Sequence, residues 1–151
     1  MEMVKQFSIF MVNKPGILSR ILDEFTNAKI NIKALTVMDS VEHGVLRVVA
    51  ENPEKMRNIL SQTNIQFNET EVLSVTLPNQ SGAFAAVTDK LAKAHINIAY
   101  AYVTSGAKGG KTTAILKVAD VKKAMKVLKT TGSPSDDRRF AERRTHAARR
   151  G

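Results

Sequence analysis

The stretch NKPGILSRILDEFTNAKINI, residues 13–32, returns as NQSGAFAAVTDKLAKAHINI at residues 79–98, a fixed 66 positions later. The two lines share Asn13 with Asn79, Gly16 with Gly82, Asp23 with Asp89 and Ala28 with Ala94, and the triplet Ile30, Asn31 and Ile32 returns as Ile96, Asn97 and Ile98. This repeat constrains the fold more than any single motif. A unit of about 66 residues is near the smallest that can bury a core alone. The two copies are therefore expected to pack on one another or on a second chain, and the seam between units is the natural place for a bound molecule.

Within the first copy, KQFSIFMV puts Phe7, Ile9 and Met11 on one face at period two, which predicts a half-buried strand. The turn NKPG follows, and Ile17, Leu18, Ile21, Leu22 and Phe25 then recur at helical spacing. Pro15 suits a first helical position, where a missing N–H costs nothing. The helix should stop near Ala28. INIKALTVMD and VLRVVAE read as strands, PEKMRNILSQ as a helix presenting Met56, Ile59 and Leu60, and Ile65 to Phe67 as a closing strand. The second copy repeats the order with the strand EVLSVTL, the helix Ala83 to Ala94, the strands Asn97 to Thr104 and TTAILKV, and a helix from Asp120 to about Lys129.

Strand, helix, strand, strand, helix, strand, written twice, predicts an α+β chain of two ferredoxin-like βαββαβ sandwiches in tandem. Residues 1–70 form the first unit, residues 71–129 the second, and residues 130–151 a basic tail expected to be disordered. Where the first copy closes with TNIQFNETEV, the second has TTGSPSDDRRFAERRTHAARRG, whose Gly, Pro and Asp residues argue against a strand. The second unit is expected to lack its last strand.

Composition excludes several classes. The chain has no cysteine, hence no thiol nucleophile or disulfide framework, and no apolar run long enough for a membrane span. The amino terminus, with Glu2, Lys5 and a turn by Asn13, does not read as a signal peptide, so a cytoplasmic location is expected. The net charge of +9 divides into +6 over residues 1–129 and +3 over residues 130–151. Six arginines with three acids in the tail are a weak nucleic-acid signal, and a solvated end is favoured. SGAKGGKTT is not a phosphate loop, because only three residues separate Gly106 from Gly110 and the segment joins two strands; it reads as a hairpin tip. His43, His95 and His146 are too dispersed for a metal site, and no nucleophile elbow or metalloprotease helix is present. No enzyme, cofactor or metal is expected. Tyr100 and Tyr102 share a strand face and could line a seam.

A strand, then Asn-x-x-Gly, an apolar helix ending in small residues, and INI opening the next strand resembles the ACT domain, here in tandem over about residues 4 to 129. The likeness is to stand-alone tandem ACT proteins, which carry no catalytic domain. The resemblance implies units paired side by side into a continuous sheet, with an amino acid or other small molecule bound at the seam. Carried onto this sequence, the implied contacts are Asn13, Lys14, Pro15, Gly16, Ile17 and Leu18 with Asn31 and Ile32. In the second copy they are Asn79, Gln80, Ser81, Gly82, Ala83 and Phe84 with Asn97 and Ile98.

The residues themselves make that turn a reasonable host for a zwitterion. A helix N-terminus offers unpaired N–H groups to a carboxylate, glycine permits close backbone approach, and asparagine can accept from an ammonium. An ordinary turn and helix cap would use the same residue types. Ser81 in place of Pro15 implies that the two sites differ. The expected function is a non-enzymatic, allosteric amino-acid sensor acting as a homodimer. The alternative is a ligand-free interaction module serving as regulatory subunit of an amino-acid-metabolism enzyme.

Overall fold

Every apolar stripe read from the sequence becomes an element, with one fusion. A computed structural model describes residues 1–39, 43–104 and 110–130. In chain order the elements are β1 (Glu2–Met11), α1 (Ile17–Asn27), β2 (Ile32–Asp39), β3 (Gly44–Ala50) and α2 (Pro53–Gln62). They continue as β4 (Phe67–Pro78), α3 (Ala83–Lys93), β5 (Ile98–Thr104), β6 (Lys111–Val118) and α4 (Val121–Thr130). The six strands form one antiparallel sheet in the order β2-β3-β1-β4-β6-β5. This is an α+β architecture of two ferredoxin-like units in tandem.

The fusion is β4. The sequence pattern predicts two strands, Ile65 to Phe67 closing one unit and EVLSVTL opening the next, but a single strand of 12 residues, Phe67–Pro78, takes their place. Its first part pairs with β1 from Ile9↔Phe67 to Glu2↔Ser74, and its last part pairs with β6 from Leu73↔Leu116 to Pro78↔Lys111. Nothing local forbids this, and β1 and β6 supply the partners. Asn68, Glu69, Thr70 and Glu71 include no Gly or Pro to break the strand, so the period-two alternation continues. One difference concerns Pro15: α1 starts at Ile17 with Gly16 as its N-cap, so the proline precedes the helix. The expected absence of a last strand in the second unit falls on residues 133–139, outside the described residues, as do the hairpin tip at 105–109 and the tail at 131–151.

The four helices of the described residues pack on one face of the sheet. Phe7, Ile9 and Met11 of β1 join Leu46, Val48, Ile21, Phe25, Met56 and Leu60 in the first core. Leu73 and Val75 of β4 join Ala114, Leu116, Val118, Val87, Leu91, Val121 and Ala124 in the second. The register pairs Met3 with Leu73 and Phe7 with Glu69, so the inward residues of β1 and β4 face the same side. The opposite face, which no helix of the described residues covers, carries a third cluster, Ala34, Val49, Val72 and Ile115, with Val4 and Tyr102 against it. The sheet rolls toward this face far enough that its two edge strands, β2 and β5, come into contact.

On the outer surface α2 is tied to β4 by Arg57, whose Nε and Nη2 donate to Glu69 at 2.9 and 2.5 Å. The hydrogen bond from Arg57 holds the Glu69 carboxyl below its ordinary pKa. A depressed carboxyl pKa stabilises the fold above the unfolded value and loses that contribution as pH falls through the folded one. Melting from neutral to acidic pH should therefore show a shallower acid limb for Glu69→Gln than for the wild type. Because the pair is solvent-exposed, the neutral-pH difference should be small.

Candidate functional site at the repeated turns

The repeat is preserved to the backbone angle. Gly16 has φ 86° and ψ −11°, and Gly82 has φ 88° and ψ −10°. Both glycines are N-caps in the left-handed region, a conformation that costs other residues about 1 kcal/mol or more. A Cβ at Gly16 would meet nothing within 4 Å, so the backbone angle rather than crowding demands glycine there.

The four helices differ at their starts. α2 is capped by Asn52, whose side chain accepts from the Lys55 N–H, and has Glu54 in its first turn. At α4, Asp120 Oδ1 accepts from the Lys123 N–H at 3.0 Å. Neither α1 nor α3 has a side-chain cap or an acid in its first turn. No acceptor is found among the described residues for the N–H groups of Leu18 and Ser19 in α1, or of Phe84 and Ala85 in α3. Those donors lie at the positive end of their helix dipoles, a combination suited to an anion.

The structure places Asn13, Lys14, Pro15 and Gly16 at the exposed end of β1, with Ile17 and Leu18 half-buried against the first core. Asn13 is not the helix cap, since its Nδ2 donates to Asp39 Oδ1 at the end of β2 at 3.1 Å. In the second unit Asn79 donates its backbone N–H to the Gly110 carbonyl at 2.8 Å. A groove of about 370 Å³ opens beside this second turn. Met1, Val75, Leu77, Pro78, Ala83, Ala86, Val87 and Leu128 make it largely apolar, with Gln80 and Lys90 contributing polar groups.

Asn31, Ile32, Asn97 and Ile98 do not join these turns within one chain. β1 and β2 both run antiparallel to β3 and are therefore parallel to each other. The turn follows the end of β1, whereas Asn31 and Ile32 open β2 at the opposite end, where Ile32 pairs with Ala50 and the Asn31 carbonyl accepts from Glu51. A strand of eight residues separates the two groups by roughly 20 Å or more. The same holds for Asn97 and Ile98, since Ile98 pairs with Val118 while the second turn adjoins Gly110.

One polar constellation was not visible in the sequence. On the rolled face, fully buried Gln6 of β1 donates through Nε2 to Tyr100 Oη at 2.6 Å. Its Oε1 accepts from Tyr102 Oη at 2.8 Å. Arg47 of β3 lies over the Tyr100 ring, its Cζ 3.9 Å from the centroid. Burial, and secondarily Tyr100, pushes the Tyr102 hydroxyl well above the ordinary phenol range, so it remains a donor. The sequence pointed to Tyr100 and Tyr102 as seam residues, but nothing in it linked them to Gln6 and Arg47. Among the described residues, no group of three His, Asp or Glu is arranged to hold a metal ion. No helix there is long and apolar enough to cross a membrane.

Residues 2–133 match the family described as an ACT domain pair. The chain belongs to that family. This ACT domain pair is 28% identical to a crystallised protein from Bacteroides thetaiotaomicron, with a TM-score of 0.78 over 85% of this chain and 88% of the other. It is 16% identical to aspartokinase alpha and beta subunits, with a TM-score of 0.59 over 83% of this chain and 90% of that one. The ligand-free regulatory subunit of aspartate kinase from Thermus thermophilus shares 10% identity, with a TM-score of 0.59 over 88% and 95%. At such identities the aspartokinase likenesses establish a shared fold. No curated protein matches the chain significantly.

Proposed function

We propose that this ACT domain pair is a non-enzymatic regulatory sensor that takes the carboxylate of a free amino acid at the uncapped N-termini of α1 and α3. The observation that carries the reading is the contrast among the helices: the two that follow the repeated turn lack caps, and the other two have them. The groove beside Gln80 and Ala83 would receive the side chain of the ligand, and its volume lies in the range of small-molecule sites. That similar folds serve as the regulatory subunit of aspartate kinase in Thermus thermophilus supports a regulatory role.

Because one chain keeps Asn31 and Asn97 away from both turns, the completed site is proposed to lie at the seam with a second copy. The exposed Leu35, Val37 and Met38 on edge strand β2 favour such pairing. They equally favour the second reading, an interaction module docked on a partner enzyme without ligand.

A thermal-melt panel of the purified chain against the twenty amino acids separates the two. A bound ligand at about 100 times its Kd should add roughly 2.7 kcal/mol of stability. The deciding variants are Ser19→Asp and Ala85→Asp, at exposed third positions of α1 and α3. A carboxylate there should stabilise the free protein by about 0.3–1 kcal/mol through the helix dipole while repelling the ligand. Loss of the ligand-induced shift with the apo melt unchanged or raised supports the reading. A panel without any shift, or a shift untouched by both variants, refutes it.

A further inference from the structure

The polar cluster on the rolled face has more donors than acceptors. The Gln6 amide is fully used: Oε1 accepts from Tyr102, and Nε2 donates to Tyr100 and, at 3.4 Å, to Ser8 Oγ. Tyr100 Oη accepts from Gln6, and its own proton has no acceptor among the described residues. Arg47 is poorer still. Its Nη1 points to the Met38 sulfur, a weak acceptor, and its Nε is buried with no partner. No carboxylate pairs with it among the described residues. The face of Tyr100 stabilises the cation but supplies no lone pair to its N–H groups. Buried donors without acceptors are rare in folded proteins and commonly mark an absent water or ion.

We propose that this face is an oxyanion site, separate from the repeated turns, in which the Arg47 guanidinium and the Tyr100 hydroxyl hold a small carboxylate or tetrahedral oxyanion. The planar fork of arginine matches two oxygens of either class, and the phenol supplies a third donor. Arg47, Tyr100 and Tyr102 are half-buried, so the site is shielded without being sealed. Arg47 belongs to the first unit, Tyr100 and Tyr102 to the second, and an anion here would bind both units at once. The proposal does not depend on the amino-acid reading of the turns.

The chain carries its own reporter, for it has two tyrosines and no tryptophan, and both tyrosines belong to this cluster. Tyrosine emission of the full chain is followed while sodium sulfate or sodium acetate replaces sodium chloride at constant ionic strength. A saturable change with either salt is expected, and which one saturates tells a tetrahedral from a carboxylate ligand. Arg47→Gln should weaken the binding by about tenfold or more, since it removes the charge and the fork. Arg47→Lys, which keeps the charge alone, should fall between. Should Arg47→Gln fail to fold, Tyr100→Phe keeps the ring that Arg47 covers, removes the hydroxyl and should weaken binding severalfold, with Tyr102 as reporter. The Ser19→Asp, Ala85→Asp double variant should respond like the wild type. No saturable change, an undiminished response in Arg47→Gln, or a response lost only in the double Asp variant would overturn the proposal.

Discussion

Phe7→Ala is expected to destabilise the chain by about 3–5 kcal/mol, and to do so in one transition rather than two. Phe7 is fully buried in the first core, against Phe67 with ring centroids 6.0 Å apart. Removing it opens a cavity that the strands on either side cannot fill by moving, because both ladders of β1 hold them. The cooperative outcome follows from β4. That strand carries Phe67 against the first core and Leu73 and Val75 into the second, so melting the first unit removes the partner of β4 over Glu2 to Ile9. For a chain of this length the loss corresponds to a Tm lower by about 10 °C. The check is melting followed in parallel by far-UV circular dichroism and by tyrosine emission, which reports the face between the units. Coincident midpoints are expected, whereas separated ones would mean that the shared strand does not couple the two cores.

The second large effect concerns Gln6. Tyr102→Phe leaves the buried Oε1 of Gln6 without its donor, and Gln6→Leu leaves both tyrosine hydroxyls without the amide that joins them. Each single change should cost about 1–3 kcal/mol, the penalty for a buried polar group stripped of its partner. The double variant should cost clearly less than the sum, since removing both members of the Tyr102 bond leaves no orphan there. Urea unfolding of the four proteins measures this. Strict additivity would mean that the bond contributes nothing to holding the rolled sheet closed. The same cycle tests the geometry of the face on its own, independent of whether an anion binds there.

Much of the fold was legible in residue spacing alone. The 66-residue repeat established two units. The periodicities set α2 at Pro53–Gln62 and brought α1 and α3 to within a residue or two of their observed ends. Elements built from local contacts are legible in this way because the spacing of apolar side chains decides which face of a helix or strand can be buried. The turn glycines were legible for a related reason, as Gly16 and Gly82 hold a backbone angle that other residues avoid.

The remaining features arise from contacts between strands far apart in the chain. The fusion of β4 depends on its having a partner on each side, β1 for the first part and β6 for the second, and pairing over that range leaves no local mark. The separation of Asn31 and Asn97 from the turns follows from strand direction, which is fixed by the ladders and not by residue type. The meeting of Gln6 with Tyr100 and Tyr102 spans 94 and 96 positions and exists because the sheet rolls until its edges touch. Twist accumulated over six strands brings those side chains together, and no window along the chain contains it.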